Sequence, residues 1–173
     1  DLSKPLLYIP IAINIEKHPY SGCMDWLLGT LGPLGVKDIT MWTEENLKEK
    51  QEKDFEQFSG IYIGGGNTFK LLKELKEFGT FEILKRLAEK DTPIYGGSAG
   101  AIIFAKTIIP ALSADENFVE LTDFNALNLV NNHEIWCHYD NSLDPLIKSY
   151  VEKYILKKII AIPENAGLYV TEN

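Results

Sequence analysis

An open, mostly parallel α/β sheet with helices on both faces is what this sequence predicts, and three observations carry the prediction. Short apolar runs rich in Ile, Leu and Tyr alternate along the chain with helical-period segments. The apolar runs are nearly continuous rather than alternating, as befits strands covered on both faces. Two of them, "GIYIGGGNT" and "TPIYGGSAG", end in glycine-rich turns that lead into a helix, the strand-loop-helix unit of doubly wound folds.

Taken in order, "PLLYIPIAIN" at 5–14 reads as a buried parallel strand. A helix follows, with Trp26, Leu27, Leu28 and Leu31 at helical spacing, and "VKDITMW" is the second strand. "TEENLKEKQEKDFEQF" starts at Thr43 without a full capping box, and its charge run reads as a solvated helix face. The third strand is "GIYI", after which Phe69, Leu71, Leu72 and Leu75 share one helical face. "FEILKRLAEKD" is another helix, "TPIYGG" a buried strand, and "SAGAIIFAKTI" opens the next helix. An acidic loop around Asp115 and Glu116, an apolar segment at 127–130, a helix from about Asp144 to Leu156 and the strand "KIIAIPE" complete the series. "AGLYVTEN" reads as a last strand with polar residues after it, and the chain reads as trimmed at both ends.

At 173 residues and 45% hydrophobic the chain can bury a core as a single domain, 1–173, without disulfides or metals. A net charge of -8, with Arg86 the only arginine and no basic stripe, argues against a nucleic-acid partner. No apolar run approaches a membrane span, no signal peptide is visible, and Cys23 with Cys137 makes no disulfide framework, which points to the cytoplasm.

Gly96-Gly97-Ser98-Ala99-Gly100 matches G-x-S-x-G between a predicted strand and a predicted helix, the setting of a nucleophile elbow. There the amide after the serine, that of Ala99, faces the developing oxyanion. The competing reading is a turn that only packs closely or binds an anion. "GGGNT" falls on the same sheet edge, so Gly65 or Gly66, beside Asn67, is the candidate second oxyanion donor. It lacks the lysine and spacing of a nucleotide-binding loop.

A serine needs a base, and the chain offers His18, His133 and His138. His138, at a predicted strand end in "IWCHYDNS", is the candidate; His133 and His18 read as surface. His133-Glu134 begins like a zinc motif, but residue 137 is Cys and the remaining partners are absent, so no metal or other cofactor is expected. For the acid that orients the imidazole, Asp115, Asp140 and Glu164 are all candidates, and spacing does not choose among them.

Together "IYIGGGNTFKLLKEL", "IYGGSAGAIIFAKTI", "FNALNLV", "CHYD" and "AIPENAGLYV" resemble the dipeptidase E family, the aspartyl dipeptidases and cyanophycinase relatives among serine peptidases with a class I glutamine amidotransferase-like fold. The resemblance spans most of the chain. It implies Ser98 as nucleophile, His138 as base, Gly65, Gly66 and Ala99 in the oxyanion region, and either Asp115 or Glu164 as the acid. The order Ser, His, Glu differs from the Ser, acid, His order of α/β-hydrolases. It also implies another strand before "LLYIPIA", and an arginine after the histidine segment in members that prefer an N-terminal aspartate. Residues 139–173 contain no arginine; Lys148 is the substitute, with poorer bidentate geometry. The expected function is hydrolysis of a dipeptide or short peptide, N-terminal Asp-X included, by a chain for which the fold makes a homodimer an option. The alternatives are a non-catalytic module holding a small anion or metabolite, and an amidase or cyanophycinase-like hydrolase.

Overall fold

The structure, a computed structural model, describes residues 3–171. Four strands form a parallel sheet in the order β2-β1-β3-β4, from β1 (Leu6–Ile9), β2 (Ile39–Met41), β3 (Gly60–Ile63) and β4 (Ile94–Gly96). In the register Leu6, Gly60 and Ile39 are level, as are Tyr8, Tyr62 and Met41. Successive residues of β1 enter different cores. Leu7 and Ile9 join Ile61 and Ile63 in the larger cluster, whereas Tyr8 and Tyr62 pack with Cys23 and Leu27. Both faces are thus apolar, which is why "LLYI" shows no polar alternation.

On the Tyr8 face lies α1 (Tyr20–Leu31). The opposite face carries α3 (Thr68–Glu77) and α4 (Thr80–Glu89), which bury Phe69, Leu71, Leu72, Leu75, Phe81, Ile83, Leu84 and Leu87 as their 3.6-residue period requires. Fully burying apolar side chains of this size is worth roughly 1.5–3 kcal/mol each, so these two helices supply a large share of the core. The short α5 (Ala99–Ile102) fits under the sheet because a Cβ on Gly100 would collide with the Ile63 carbonyl.

β5 (Glu134–Cys137) and β6 (Ile159–Ile162) pair with each other, also in parallel, and α6 (Asp144–Tyr154) connects them. Trp136 of β5 meets Tyr150 of α6 edge to face, with ring centroids 5.3 Å apart. This pair of strands is not hydrogen-bonded to β4, so the expected single sheet is divided into four strands and two.

Several local expectations are corrected. The first strand stops at Ile9, because Pro10 begins a turn that continues through Ile13. The charged segment after Thr43 is not one solvated helix: α2 (Glu44–Leu47) and a 3-10 turn (Glu52–Phe55) bend so that Leu47, Phe55 and Phe58 all enter the core. β4 is only partly covered, with Tyr95 65% exposed. Residues 166–171 form no strand and are exposed; Glu172 and Asn173 lie outside the described residues. No helix among the described residues is long and apolar enough to cross a membrane.

Candidate active site

Ser98 stands between β4 and α5 with φ 49° and ψ -113°, a backbone conformation that L side chains rarely adopt. The strain has local supports. The Gly97 amide donates to the Ile63 carbonyl at 3.0 Å, and the amides of Ala101 and Ile102 close on the Ser98 carbonyl. Chain reversal at this point lifts the hydroxyl out of the sheet edge.

His138 follows β5 immediately and also has a positive φ, 57°. The Cys137–Ile162 register, extended by the Tyr139 amide donating to the Ile162 carbonyl at 3.1 Å, sets His138 beside the segment that carries Glu164. Parallel pairing therefore brings residues 26 positions apart to one strand end. Ser98 Oγ lies 2.7 Å from His138 Nε2, and His138 Nδ1 is hydrogen-bonded to Glu164 Oε1. With a carboxylate as acceptor at Nδ1, the proton belongs on that nitrogen, which leaves Nε2 free to accept from the serine hydroxyl. The line is open to solvent on one side: the His138 side chain is 57% exposed and that of Glu164 78%.

The second glycine loop lies where the sheet order predicts. A Cβ on Gly65 would sit 3.1 Å from the Ser98 Cβ, so the two loops touch. Gly66 has φ 140° and presses against the Ala12 carbonyl, leaving no room for a side chain. The amides of Gly65, Gly66 and Ala99 have no hydrogen-bond acceptor among the described residues, so they are available to a ligand oxygen.

Asp115 and Asn67 are occupied otherwise. Asp115 Oδ2 accepts the Thr68 amide at 2.8 Å, and Asn67 Oδ1 accepts the Lys70 amide at 2.9 Å, so together they cap α3. Asn67 Nδ2 also donates to the Glu116 carbonyl at 2.8 Å. The anion-attracting end of α3 is already closed by the chain's own carboxylate. Asp140 accepts the Ser142 amide at 2.7 Å, and Glu164 is thus the candidate acid in contact with His138. Lys148 and His18 are exposed, on α6 and in the loop before α1. His133 Nδ1 meets the Val130 carbonyl, and the buried Glu134 takes the amide and hydroxyl of Thr107, both at 2.9 Å. No cluster of three metal-ligating side chains occurs among the described residues.

Cys137 is a neighbour of the site that sequence reasoning did not assign. Its Sγ lies 3.7 Å from the Ser98 carbonyl oxygen, and burial, reinforced by the Glu164 charge, pushes the thiol up to about 11. The signal was its place directly before His138. Beneath the elbow the Tyr62 ring stacks between Tyr8 and Tyr95, at 5.3 and 5.1 Å. Ser98, His138 and Glu164 border a cleft of about 1690 Å³, whose walls include Tyr95, Ile135 and Leu168. A smaller hollow of about 410 Å³ between Lys76, Phe81 and Asp123 contains none of the site residues.

The family model described as Peptidase family S51 matches residues 1–173. The uncharacterized peptidase Lmo0363 of Listeria monocytogenes serovar 1/2a is 33% identical over 175 residues, covering 96% of this chain and 82% of its own. Peptidase E of Actinobacillus pleuropneumoniae serotype 5b is 31% identical over 130 residues, 70% of this chain and 55% of that protein, so the chain spans about half the length of such relatives. Among solved structures, one from Listeria monocytogenes EGD-e assigned provisionally as Peptidase E superposes with TM-score 0.68 at 25% identity, over 92% of this chain and 77% of the other. A peptidase from an acI-B1 Actinobacterium, 17% identical with TM-score 0.62 over 92% of this chain and 66% of its own, shares the fold. With a family match along its whole length and a relative one-third identical over nearly all of it, the chain belongs to Peptidase family S51.

Proposed function

We propose that this chain is a serine-type peptidase acting on a dipeptide or other short peptide, with Ser98 as nucleophile, His138 as general base and then acid, and Glu164 as the group that orients and stabilises the imidazolium. The observation that carries the reading is the continuous hydrogen-bond line from Ser98 Oγ through His138 to Glu164. Ser98 Oγ attacks the scissile carbonyl carbon while its proton passes to His138 Nε2. The carbonyl oxygen becomes an oxyanion received by the amides of Ala99 and Gly65 or Gly66. His138 returns the proton to the leaving amine, and the C–N bond breaks. Water, deprotonated by His138, then hydrolyses the acyl-serine and restores the hydroxyl.

The anion-binding alternative loses the end of α3 to the Asp115 carboxylate, and it gives no role to the line from Ser98 through His138 to Glu164, which is why hydrolysis is the favoured reading. The reading includes a cytoplasmic location, consistent with two free cysteines; for an aspartyl preference residues 139–173 offer lysines in place of an arginine, and the candidate among them, Lys148, does not line the cleft.

Intact-mass spectrometry after treatment with a serine-directed fluorophosphonate tests the chemistry without the substrate. One adduct per chain is expected on the wild type and none on Ser98→Ala or His138→Ala. Glu164→Gln should label about 10³- to 10⁴-fold more slowly, the cost of losing the orienting carboxylate of such a triad. An unlabelled wild type that is folded by circular dichroism would rule the proposal out. If labelling succeeds, a panel of Asp-X and neutral dipeptides follows, with equal turnover of both expected for a site without an arginine clamp.

A further inference from the structure

Behind the second glycine loop, away from Ser98, an interior cation ties four segments together. The Lys70 ammonium of α3 donates to the Ile11 carbonyl and to Glu44 Oε1 of α2 at 2.9 Å, and forms an ion pair with Glu74 Oε2 at 3.3 Å. Glu44 Oε2 in turn accepts from Tyr20, the first residue of α1, at 2.7 Å. All three charged side chains are largely buried, at 20–25% exposure. Burial pushes both carboxyls upward. At Glu44 the hydrogen bonds from Tyr20, its own backbone and Lys70 outweigh burial and hold it below the usual carboxylate range, whereas Glu74 stays above it.

A largely buried lysine with both carboxylates so close is a costly way to fill space, since an apolar side chain would avoid desolvating three charges. What distinguishes Lys70 is its bond to the Ile11 carbonyl. The Ile11 carbonyl belongs to the turn after β1, and the next residue, Ala12, accepts the Asn67 amide at 2.8 Å and abuts Gly66. Gly65, one residue earlier, touches Ser98. A short covalent and hydrogen-bonded path therefore runs from the ammonium to the amides beside the nucleophile.

We propose that Lys70, held by Glu44, Glu74 and Tyr20, is a positioning residue for the proposed hydrolysis: it fixes the turn at 10–13, which in turn holds Gly65 and Gly66 in register with Ser98 for oxyanion binding. The inference rests on the serine-peptidase reading above. Donors that must hold to within about 0.5 Å of their hydrogen-bonding position need such bracing, because a loose donor loses its advantage over water.

The test compares wild type, Lys70→Met, Lys70→Arg and Glu44→Gln by two readouts below each variant's melting temperature. One is the rate of fluorophosphonate labelling of Ser98, the other amide hydrogen exchange across 10–14 and 64–67. Lys70→Met should label about tenfold more slowly, less than the 10²- to 10³-fold cost of deleting an oxyanion donor outright, with faster exchange in both segments. Lys70→Arg, which keeps charge and donors, should recover most of the rate. If Lys70→Met does not fold, Glu44→Gln decides, with labelling about threefold slower expected from one lost charge-assisted bond. Labelling at the wild-type rate in the folded variant overturns the proposal, and faster exchange without slower labelling does so too, by confining Lys70 to stability. A wild type that takes no adduct refutes the serine reading instead; unchanged exchange at 64–67 in Lys70→Met then separately refutes the bracing.

Discussion

Ser98 combines a strained backbone with a hydroxyl bonded to His138, and the two properties can be separated by substitution. Ser98→Ala removes the hydroxyl and keeps the strain of φ 49°, whereas Ser98→Gly removes both. Neither variant should take up fluorophosphonate. The glycine variant should be more stable than the alanine one by about 1 kcal/mol, or a melting temperature roughly 2–4 °C higher, read by differential scanning calorimetry. Equal melting temperatures would mean the elbow is relaxed. Cys137 gives a second residue-scale prediction. Burial and the Glu164 charge both disfavour its thiolate, so with the thiol raised from 9.0 to about 11 its alkylation by iodoacetamide at pH 8 should be about a hundredfold slower than for an ordinary thiol and rise steadily to about pH 11. Glu164→Gln removes the negative charge and should speed that alkylation, measurable by peptide mass spectrometry.

At the scale of elements, α3 links stability to the site. Its N-terminus carries the Asp115 carboxylate and the Asn67 side chain, and its first residues follow directly on the candidate oxyanion glycines. Asp115→Ala should cost about 1 kcal/mol through the lost cap, seen as a lower urea midpoint, with labelling of Ser98 within a few-fold of wild type. Loss of labelling as deep as in Glu164→Gln would make Asp115 the triad acid. The helices also show where sequence patterns succeed and fail. Those with a strong apolar stripe, α3 and α4, lie where the 3.6-residue period puts them. The segment after Thr43 does not, because its apolar residues are spaced for two short turns that fold Leu47 and Phe55 inward, and its many charges conceal them. Tyr95 misleads in the opposite way, since "PIYGG" has the composition of a buried strand but borders the cleft.

For the whole molecule, the candidate triad joins two unequal parts. Ser98 stands at the end of the four-stranded sheet, beside β3, whose residues are all buried, while His138 and Glu164 stand on the β5, α6, β6 part, where no described residue after Trp136 is buried. Local opening is cheapest where few apolar contacts must break. Amide exchange should therefore be fastest in α6 and in the segment after β6, and slowest in β1, β3 and α3. In a denaturant titration, labelling of Ser98 should fall before far-ultraviolet circular dichroism reports global unfolding; coincident curves would show one cooperative unit.

The sequence by itself determined the parallel α/β class, the buried strands β1 and β3, the helices α3, α4 and α6, and the serine turn with its facing glycine loop, because each depends on a local period or on residues adjacent in the chain. Tertiary structure alone decided which carboxylate meets His138, that Asp115 caps a helix, that β5 and β6 separate from β4, and that Lys70 reaches the turn after β1. Each of these is a distance between residues far apart in the chain, set by strand register and helix docking. Among 25 acidic residues, only the parallel pairing of β5 with β6 singles out Glu164.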